Sequence, residues 1–388
     1  MSSLSLRRSG SDFAALLTPC LLLNQVRMQR NIDALRKHLE HHKVAFRPHL
    51  KTSKCTEIAL RMSGGSPGPV MVSSLREADH FLSRGFRDFI YSVGIPPTKL
   101  RPLLELLQRG ANIVVLADNE AAVRALCLAG AQAGTRIPIA LEIDCDGHRS
   151  GLAPESPLVL DLARHITHSI GATFRGVLTH AGGAYACATP ECVQGAAENE
   201  RQTLVGVSHR LERAGQRCQM ISSGSSPTAV LGRQFAGLSE VRAGVFVFND
   251  LMMVNLGVCT LENLALSTLT TVIGHRPSDG RVIVDAGWMA LAADLGTSGQ
   301  AVDYRFGQVC DGTDGTPMPG IVVVDTNQEH GIIGRQDGRP LEMAQFPVGR
   351  LLQVLPVHAC ATASCHDVYH VTDGSSRIVD EWHRIRGW

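Results

Sequence analysis

From residue 20 to about residue 250 short apolar runs alternate with longer segments of helical period. The runs are CLLLN (20–24), AFRPHLK (45–51), PVMVSS (69–74), DFIYSV (88–93), NIVVLAD (112–118), IPIALEID (137–144), FRGVLTH (174–180), QMISSG (219–224) and EVRAGVFVF (240–248). Most are near-continuously hydrophobic instead of alternating, as strands covered on both faces are. Between them lie amphipathic helices. In residues 27–40, for example, Met28, Ile32, Leu35 and Leu39 recur at spacings of four, three and four. A second helix is expected to start after Asp118 as N-cap and to stop near Gly134. Counted from AFRPHLK there are eight strands, each followed by helix or loop, which predicts an α/β fold of the (β/α)8 barrel type. A doubly wound open sheet has the same order along the chain, because order does not encode closure.

After about residue 265 the texture changes. LSTLTTVIGHRPSDGRVIVDAG, GIVVVDTNQEHGII and GRLLQVLPVHAC read as strands separated by Gly/Asp/Pro turns, with almost no helical period. CLLLN is one strand too many for the barrel and is expected to pair in this β region. The predicted division is an N-terminal segment 1–24 packing with the β domain, a barrel over 25–264 and a C-terminal β domain over 265–388.

With 37 basic against 36 acidic side chains, the chain has no net field to recruit nucleic acid or an anionic membrane surface, so a small-molecule ligand is expected. No segment approaches the roughly 20 apolar residues of a membrane span. The eleven cysteines, an odd number scattered from Cys20 to Cys365, lack the dense spacing of a secreted disulfide scaffold and point to a reducing compartment. The N-terminus carries Arg7 and Arg8 but no continuous apolar run of signal-peptide length. A cytoplasmic location is the simplest expectation.

In a barrel, function gathers at the C-terminal ends of the strands. There sit His49, Lys51, Ser73, Ser74, Tyr91, Asp118, Asp144, His148, Arg149, His180, Ser222–Ser226, Arg242 and Gly244, an unusually polar rim. In FRPHLKTSK (46–54), strand alternation places Arg47, His49 and Lys51 on one face. An interior ammonium is costly unless neutralised, paired or covalently used, and a desolvated lysine amine can form a Schiff base. Lys54 lies beyond the strand and reads as solvated. In ISSGSSPTA (221–229) small residues join a strand to a helix, a loop able to aim N–H groups and hydroxyls at one anion. A plain turn is the alternative there. Gly244 and Val245 offer further N–H groups at the next strand end, and barrels place phosphates after their last two strands. HAC (358–360) sets His358 and Cys360 two residues apart on one side of an extended segment, N and S donors suited to Zn²⁺. Cys365 and His366 follow closely, as ligands or bystanders.

Together, TPCLLLN with MQRNI, RPHLKTSK, EIDCDGHRSG, GVLTHAGGAY, SSGSSPT, EVRAGVFVFND, VDAGWMA, NQEHG and VLPVHACAT resemble the fold-type III pyridoxal phosphate enzymes. Within that alanine-racemase-like group the chain is similar to the D-serine dehydratase and D-threonine aldolase family over nearly its whole length. The resemblance implies that Lys51 carries pyridoxal 5'-phosphate in Schiff-base linkage, Arg149 sits beside the phenolic oxygen and His180 lies against the ring face. It assigns the phosphate to Ser223, Gly224, Ser225, Ser226, Gly244 and Val245, and the pyridine nitrogen to Arg242. It places Zn²⁺, or another divalent metal, on His358 and Cys360. D-threonine aldolases resemble H-x-D at that point, and the thiol here tilts the implied reaction toward dehydration of D-threo-3-hydroxyaspartate or D-serine to a 2-oxo acid and ammonia. Aldol cleavage to glycine and an aldehyde would use the same Lys51 and metal. A racemase would need a second base, for which Tyr304 and Tyr369 are formal candidates, and a non-catalytic cofactor carrier would be barrel-only. A homodimer is implied by the same resemblance. A substrate β-carboxylate would want a cation, for which His148, Arg305 and His330 are candidates.

Overall fold

The computed structural model describes residues 12–388; residues 1–11 of the expected N-terminal segment, Arg7 and Arg8 among them, lie outside the described residues. The chain forms two compact units, one from the residues up to Asp33 with Val245–Arg386, the other from Ala34–Gly244 with Gly387–Trp388. β1 (Cys20–Asn24) leads into α1 (Gln25–His41). Asn24 Oδ1 starts that helix by accepting the N–H groups of Val26 and Arg27.

Strands and helices then alternate as β2 (Ala45–Pro48), α2 (Thr56–Met62), β3 (Val70–Val72), α3 (Leu75–Ser83), β4 (Asp88–Gly94), α4 (Leu100–Gln108), β5 (Asn112–Ala117), α5 (Glu120–Gln132), β6 (Ile137–Ile143), α6 (Leu158–His168), β7 (Ala172–Thr179), α7 (Pro190–Arg213), β8 (Met220–Ser223), α8 (Ser226–Leu231) and β9 (Glu240–Ala243). The eight strands β2 to β9 pair in the order β2-β9-β8-β7-β6-β5-β4-β3, every ladder parallel. The open-sheet alternative is excluded at the remaining edge. His49 makes a parallel bridge to Met71, and Leu50 N–H donates to the Met71 carbonyl at 2.8 Å. The apolar runs meet inside as Met71, Ile90, Val114, Leu116, Ala140, Leu178 and Met220. Beside this apolar layer Arg47 is held at 2.9 Å from both Glu240 and Asp88, which offsets the desolvation of a buried guanidinium. The cap of α5 is Asn119, whose Oδ1 accepts Ala122 N–H at 2.9 Å, one residue beyond the expected Asp118.

The other unit is antiparallel over most of its pairings. Its strands are β10 (Leu266–Arg276), β11 (Arg281–Val284), β12 (Gln308–Asp311), β13 (Pro317–Thr326), β14 (Gly331–Arg335), β15 (Leu351–Leu355), β16 (Val368–Thr372) and β17 (Ile378–His383). β10, β11, β14, β13, β12 and β15 pair in a closed ring, because β11 also pairs with β10. Val272, Val284, Val309, Val323, Ile333 and Val354 fill it. β1 lies between β10, to which it is antiparallel, and β16, to which it is parallel. Among the described residues no helix is long and apolar enough to cross a membrane. The cysteine spacing predicts no disulfide framework; the structure holds one local disulfide, Cys187–Cys192, and the other nine cysteines form none.

Candidate active site

β2 ends at Pro48, so the turn after it, and not the strand, carries Lys51. Lys51 is exposed. The expectation of an ammonium desolvated on an interior strand face is therefore corrected: the strand stops three residues early, after which His49 keeps only a lone bridge. His49 itself is buried, and its Nδ1 accepts the Lys51 N–H at 3.4 Å. Burial, then the charges of Lys51, Arg242 and His180, push this imidazole well below its ordinary pKa.

Lys54 also departs from expectation. Its Nζ lies 3.1 Å from Glu77 Oε1, with 18% of the lysine side chain and none of the glutamate side chain exposed. Glu77, in the first turn of α3, also accepts from Ser73 N–H at 3.0 Å, Ser73 Oγ at 2.6 Å and Ser74 Oγ at 3.2 Å. Lys54 thus ties the Lys51 turn to the end of β3. Replacing it with methionine keeps the aliphatic stem but leaves a buried carboxylate without its cation, with an expected stability loss of about 2 kcal/mol. Urea unfolding of Lys54→Met, Glu77→Gln and the double variant checks this, since a coupled pair gives a double variant less destabilised than the sum of the singles.

β6 to β9 bring the other expected residues to the same end of the barrel. Arg149 lies exposed in the loop after β6, and its charge acts on both Glu142 and His180. His180 follows β7, and its Nδ1 is 2.9 Å from the Gly224 carbonyl, a contact that requires Nδ1 to carry the proton and Nε2 the lone pair. Burial, against the Gly224 bond and with the charges of Arg242, Lys51 and Arg149, pushes His180 down to about 3. The ring is neutral across the working range of most enzymes.

Ser223 closes β8 and Ser225 caps α8, accepting the Thr228 N–H. Gly224 between them has φ +140°, and a Cβ there would come 2.0 Å from the Arg242 carbonyl oxygen, so only glycine lets this loop press against β9. Ser226 Oγ accepts the Gly244 N–H at 3.2 Å, joining the two strand ends. Three backbone groups of the expected phosphate set already have partners: Gly224 N–H donates to Glu200, Ser225 N–H to Thr228 Oγ1 and Gly244 N–H to Ser226 Oγ. Arg242 is buried, its Nε donating to Ser222 Oγ at 2.9 Å and Nη2 to the Thr179 and Ser222 carbonyls.

In the β unit, β15 ends at Leu355 and His358 is the extended residue that opens a short helix, Ala359–Ser364. The expected extended H-x-C segment is thus a helix start, and Cys360 stands in its first turn. The two side chains still meet by a hydrogen bond. His358 Nδ1 is 2.6 Å from Asp294 Oδ2, and the Ala359 N–H donates to the buried Asp250 carboxylate at 2.9 Å. Burial lowers the imidazole's pKa, but Asp294, Cys360 and Asp250 together raise it to about 11. Among the described residues no group of three or more His, Cys, Asp or Glu side chains is arranged to hold an ion. His366 bonds the Ala290 carbonyl at 2.9 Å and Cys365 the Ala361 carbonyl at 3.6 Å. Tyr369 is buried and accepts from Arg384 Nε at 2.8 Å.

Sequence reasoning misses Glu77, Glu200, Asp250 and Asp294. Glu200 had a readable signal, a charge inside the apolar stripe of α7.

A parallel barrel with a lysine, a neutral histidine and a serine-glycine loop at its strand ends, in one chain with a second β unit, defines the alanine-racemase-like class. Residues 23–251 match the family described as alanine racemase, N-terminal domain, and residues 265–372 the serine dehydratase domain. The chain belongs to this family, which implies pyridoxal phosphate as cofactor. It is 43% identical over 376 residues, 96% of its length and 98% of the relative's, to D-threo-3-hydroxyaspartate dehydratase of Delftia sp. (strain HT23). A D-threonine aldolase of an Arthrobacter species is 30% identical over 96% of the chain and 93% of its own. The solved structure of the Delftia dehydratase superposes with a TM-score of 0.94 at 42% identity, covering 97% of this chain and all of that one. A cysteine-to-alanine variant of D-threo-3-hydroxyaspartate dehydratase has been solved in a metal-free form.

Proposed function

We propose that the chain is a pyridoxal phosphate-dependent carbon–oxygen lyase that converts a D-3-hydroxy amino acid, D-threo-3-hydroxyaspartate or D-serine, to a 2-oxo acid and ammonia. The observation that carries this reading is the 43% identity to a dehydratase of the first substrate across almost the full length of both chains. The His358–Cys360 pair supports it, in place of the H-x-D that marks D-threonine aldolases.

The residues fit the cofactor. Lys51 offers an accessible amine, Ser223, Ser225 and Ser226 with the Gly244–Val245 turn offer donors for the phosphate, and Gly224 leaves room no Cβ would leave. When bound, pyridoxal phosphate supplies the electron sink for the pair left at Cα. Lys51, as the free amine, takes the Cα proton. His180 presents a neutral ring whose tautomer is set by Gly224. Arg149 meets the phenolic oxygen. Arg242 would be the residue toward the pyridine nitrogen, where a guanidinium could only donate a hydrogen bond. The donor set of His358 and Cys360 fits Zn²⁺, which supplies Lewis acidity toward the β-hydroxyl as it departs. Water lost in the elimination is regained when the resulting enamine hydrolyses, so the net products are one 2-oxo acid and one ammonia. A homodimer in the cytoplasm belongs to the same reading, and sedimentation at the mass of a single chain would contradict the dimer.

Aldol cleavage is the second reading, favoured by the 30% identity to a D-threonine aldolase. The two separate by product. Metal-replete enzyme incubated with D-serine, D-threonine and both D-3-hydroxyaspartate diastereomers should release ammonia and 2-oxo acid in equal amounts. Glycine with glyoxylate or acetaldehyde would sink dehydration.

A further inference from the structure

Among the groups this chemistry leaves unused, Glu200 has the most specific surroundings. The buried face of α7 reads Val193, Ala197, Glu200, Leu204, Val207, Ser208 and Leu211, so a carboxylate stands where helical period asks for an uncharged side chain. It is 2% exposed. A buried carboxylate is tolerated only with hydrogen-bond partners, and those of Glu200 come from the ends of β7 and β8 and from α8. Oε1 accepts the N–H of Ala181 at 3.1 Å and of Gly224 at 2.9 Å, and Oε2 accepts Thr228 Oγ1 at 2.9 Å. Gly224 then accepts His180 Nδ1 through its carbonyl at 2.9 Å. The circuit closes, because Ala181 is the residue after His180. Gly224 is held through both its N–H and its C=O, and His180 through both its ring and the next peptide. Burial pushes the Glu200 carboxyl's pKa up, while Gly224, the Arg242 charge, Thr228 and Ala181 oppose that shift.

We propose that Glu200 is a positioning residue that locks the His180 ring and the Ser223–Ser226 loop into one rigid seat, so that the cofactor's ring face and phosphate end are set together. The inference rests on the cofactor reading above. An aliphatic residue would pack as well against the barrel but would leave two buried N–H groups without acceptors and His180 held by its Gly224 bond alone. Glutamine would preserve the circuit: its Oε1 can accept both N–H groups and its Nε2 can donate to Thr228 Oγ1.

The test compares wild type, Glu200→Gln and Glu200→Ala in three readouts: titration of apoprotein with pyridoxal phosphate, visible circular dichroism of the bound cofactor, and amide hydrogen exchange of the apoprotein. Loss of three charge-assisted bonds at a buried site should weaken cofactor binding about tenfold or more in Glu200→Ala, with Glu200→Gln within about threefold of wild type. Glu200→Ala should also change the visible circular dichroism and raise exchange at Ala181 and Gly224 together. A Glu200→Ala protein with faster exchange and a lower melting temperature, yet with wild-type affinity and circular dichroism, would reduce Glu200 to a structural residue and overturn the inference alone. A wild-type protein that takes up no pyridoxal phosphate would instead overturn the cofactor reading, and the positioning role with it.

Discussion

Lys51→Ala is expected to lower turnover of D-threo-3-hydroxyaspartate by roughly 10³- to 10⁴-fold, since in the proposed mechanism one side chain both carries the cofactor and moves the Cα proton. The fold should be indifferent. Lys51 is exposed in the turn after β2, and substitutions at such positions change stability by no more than about 0.5 kcal/mol. The melting temperature should therefore match wild type while the visible absorbance of the linked cofactor disappears. Turnover at the wild-type rate would contradict the whole scheme. Lys54→Met is the instructive control: it removes a charge three residues away, should weaken the fold, and should leave a lysine available to the cofactor.

Chelation of the metal is expected to produce the second-largest effect. A Lewis acid on a departing hydroxyl is worth several kcal/mol, so turnover should fall by about 10²- to 10³-fold. Cofactor absorbance should remain, because His358 and Cys360 belong to the β unit and Lys51 to the barrel unit. Adding Zn²⁺ back should restore activity. Full activity after exhaustive chelation, confirmed by metal analysis, would remove His358 and Cys360 from the reaction. A non-catalytic cofactor carrier would show neither the loss nor the recovery.

What the chain discloses before folding follows the range of the interactions involved. The eight barrel strands are legible because a strand covered on both faces must be apolar along its length, as NIVVLA is in β5. Closure is not legible, since it rests on the His49–Met71 bridge and the Leu50 hydrogen bond across the last edge. Errors of one to three residues arise where local chemistry allows two answers. Asp118 and Asn119 can both cap α5, and only Asn119 lies opposite the Ala122 N–H. Alternation carried past Pro48 puts Lys51 inside, while the chain turns there and puts it outside.

The site divides in the same way. Lys51, His180, the Ser223–Ser226 loop and the His358–Cys360 pair stand out because their residue types sit at strand ends or at ligand spacing. Their supports do not. Lys54 looks solvated until Glu77, 23 positions on, is folded against it. Asp294 is 64 positions from the imidazole it orients. No periodicity within a segment encodes such a pairing, although the lone acid in the apolar face of α7 announces that Glu200 needs partners.

The most direct test of the central claim is reduction of the cofactor-loaded protein with borohydride, followed by proteolysis and mass mapping of the peptides. The predicted result is one pyridoxyl group per chain, confined to Lys51. A group on Lys54 or another lysine, or no covalent label in a protein that nonetheless turns over substrate, would contradict the account.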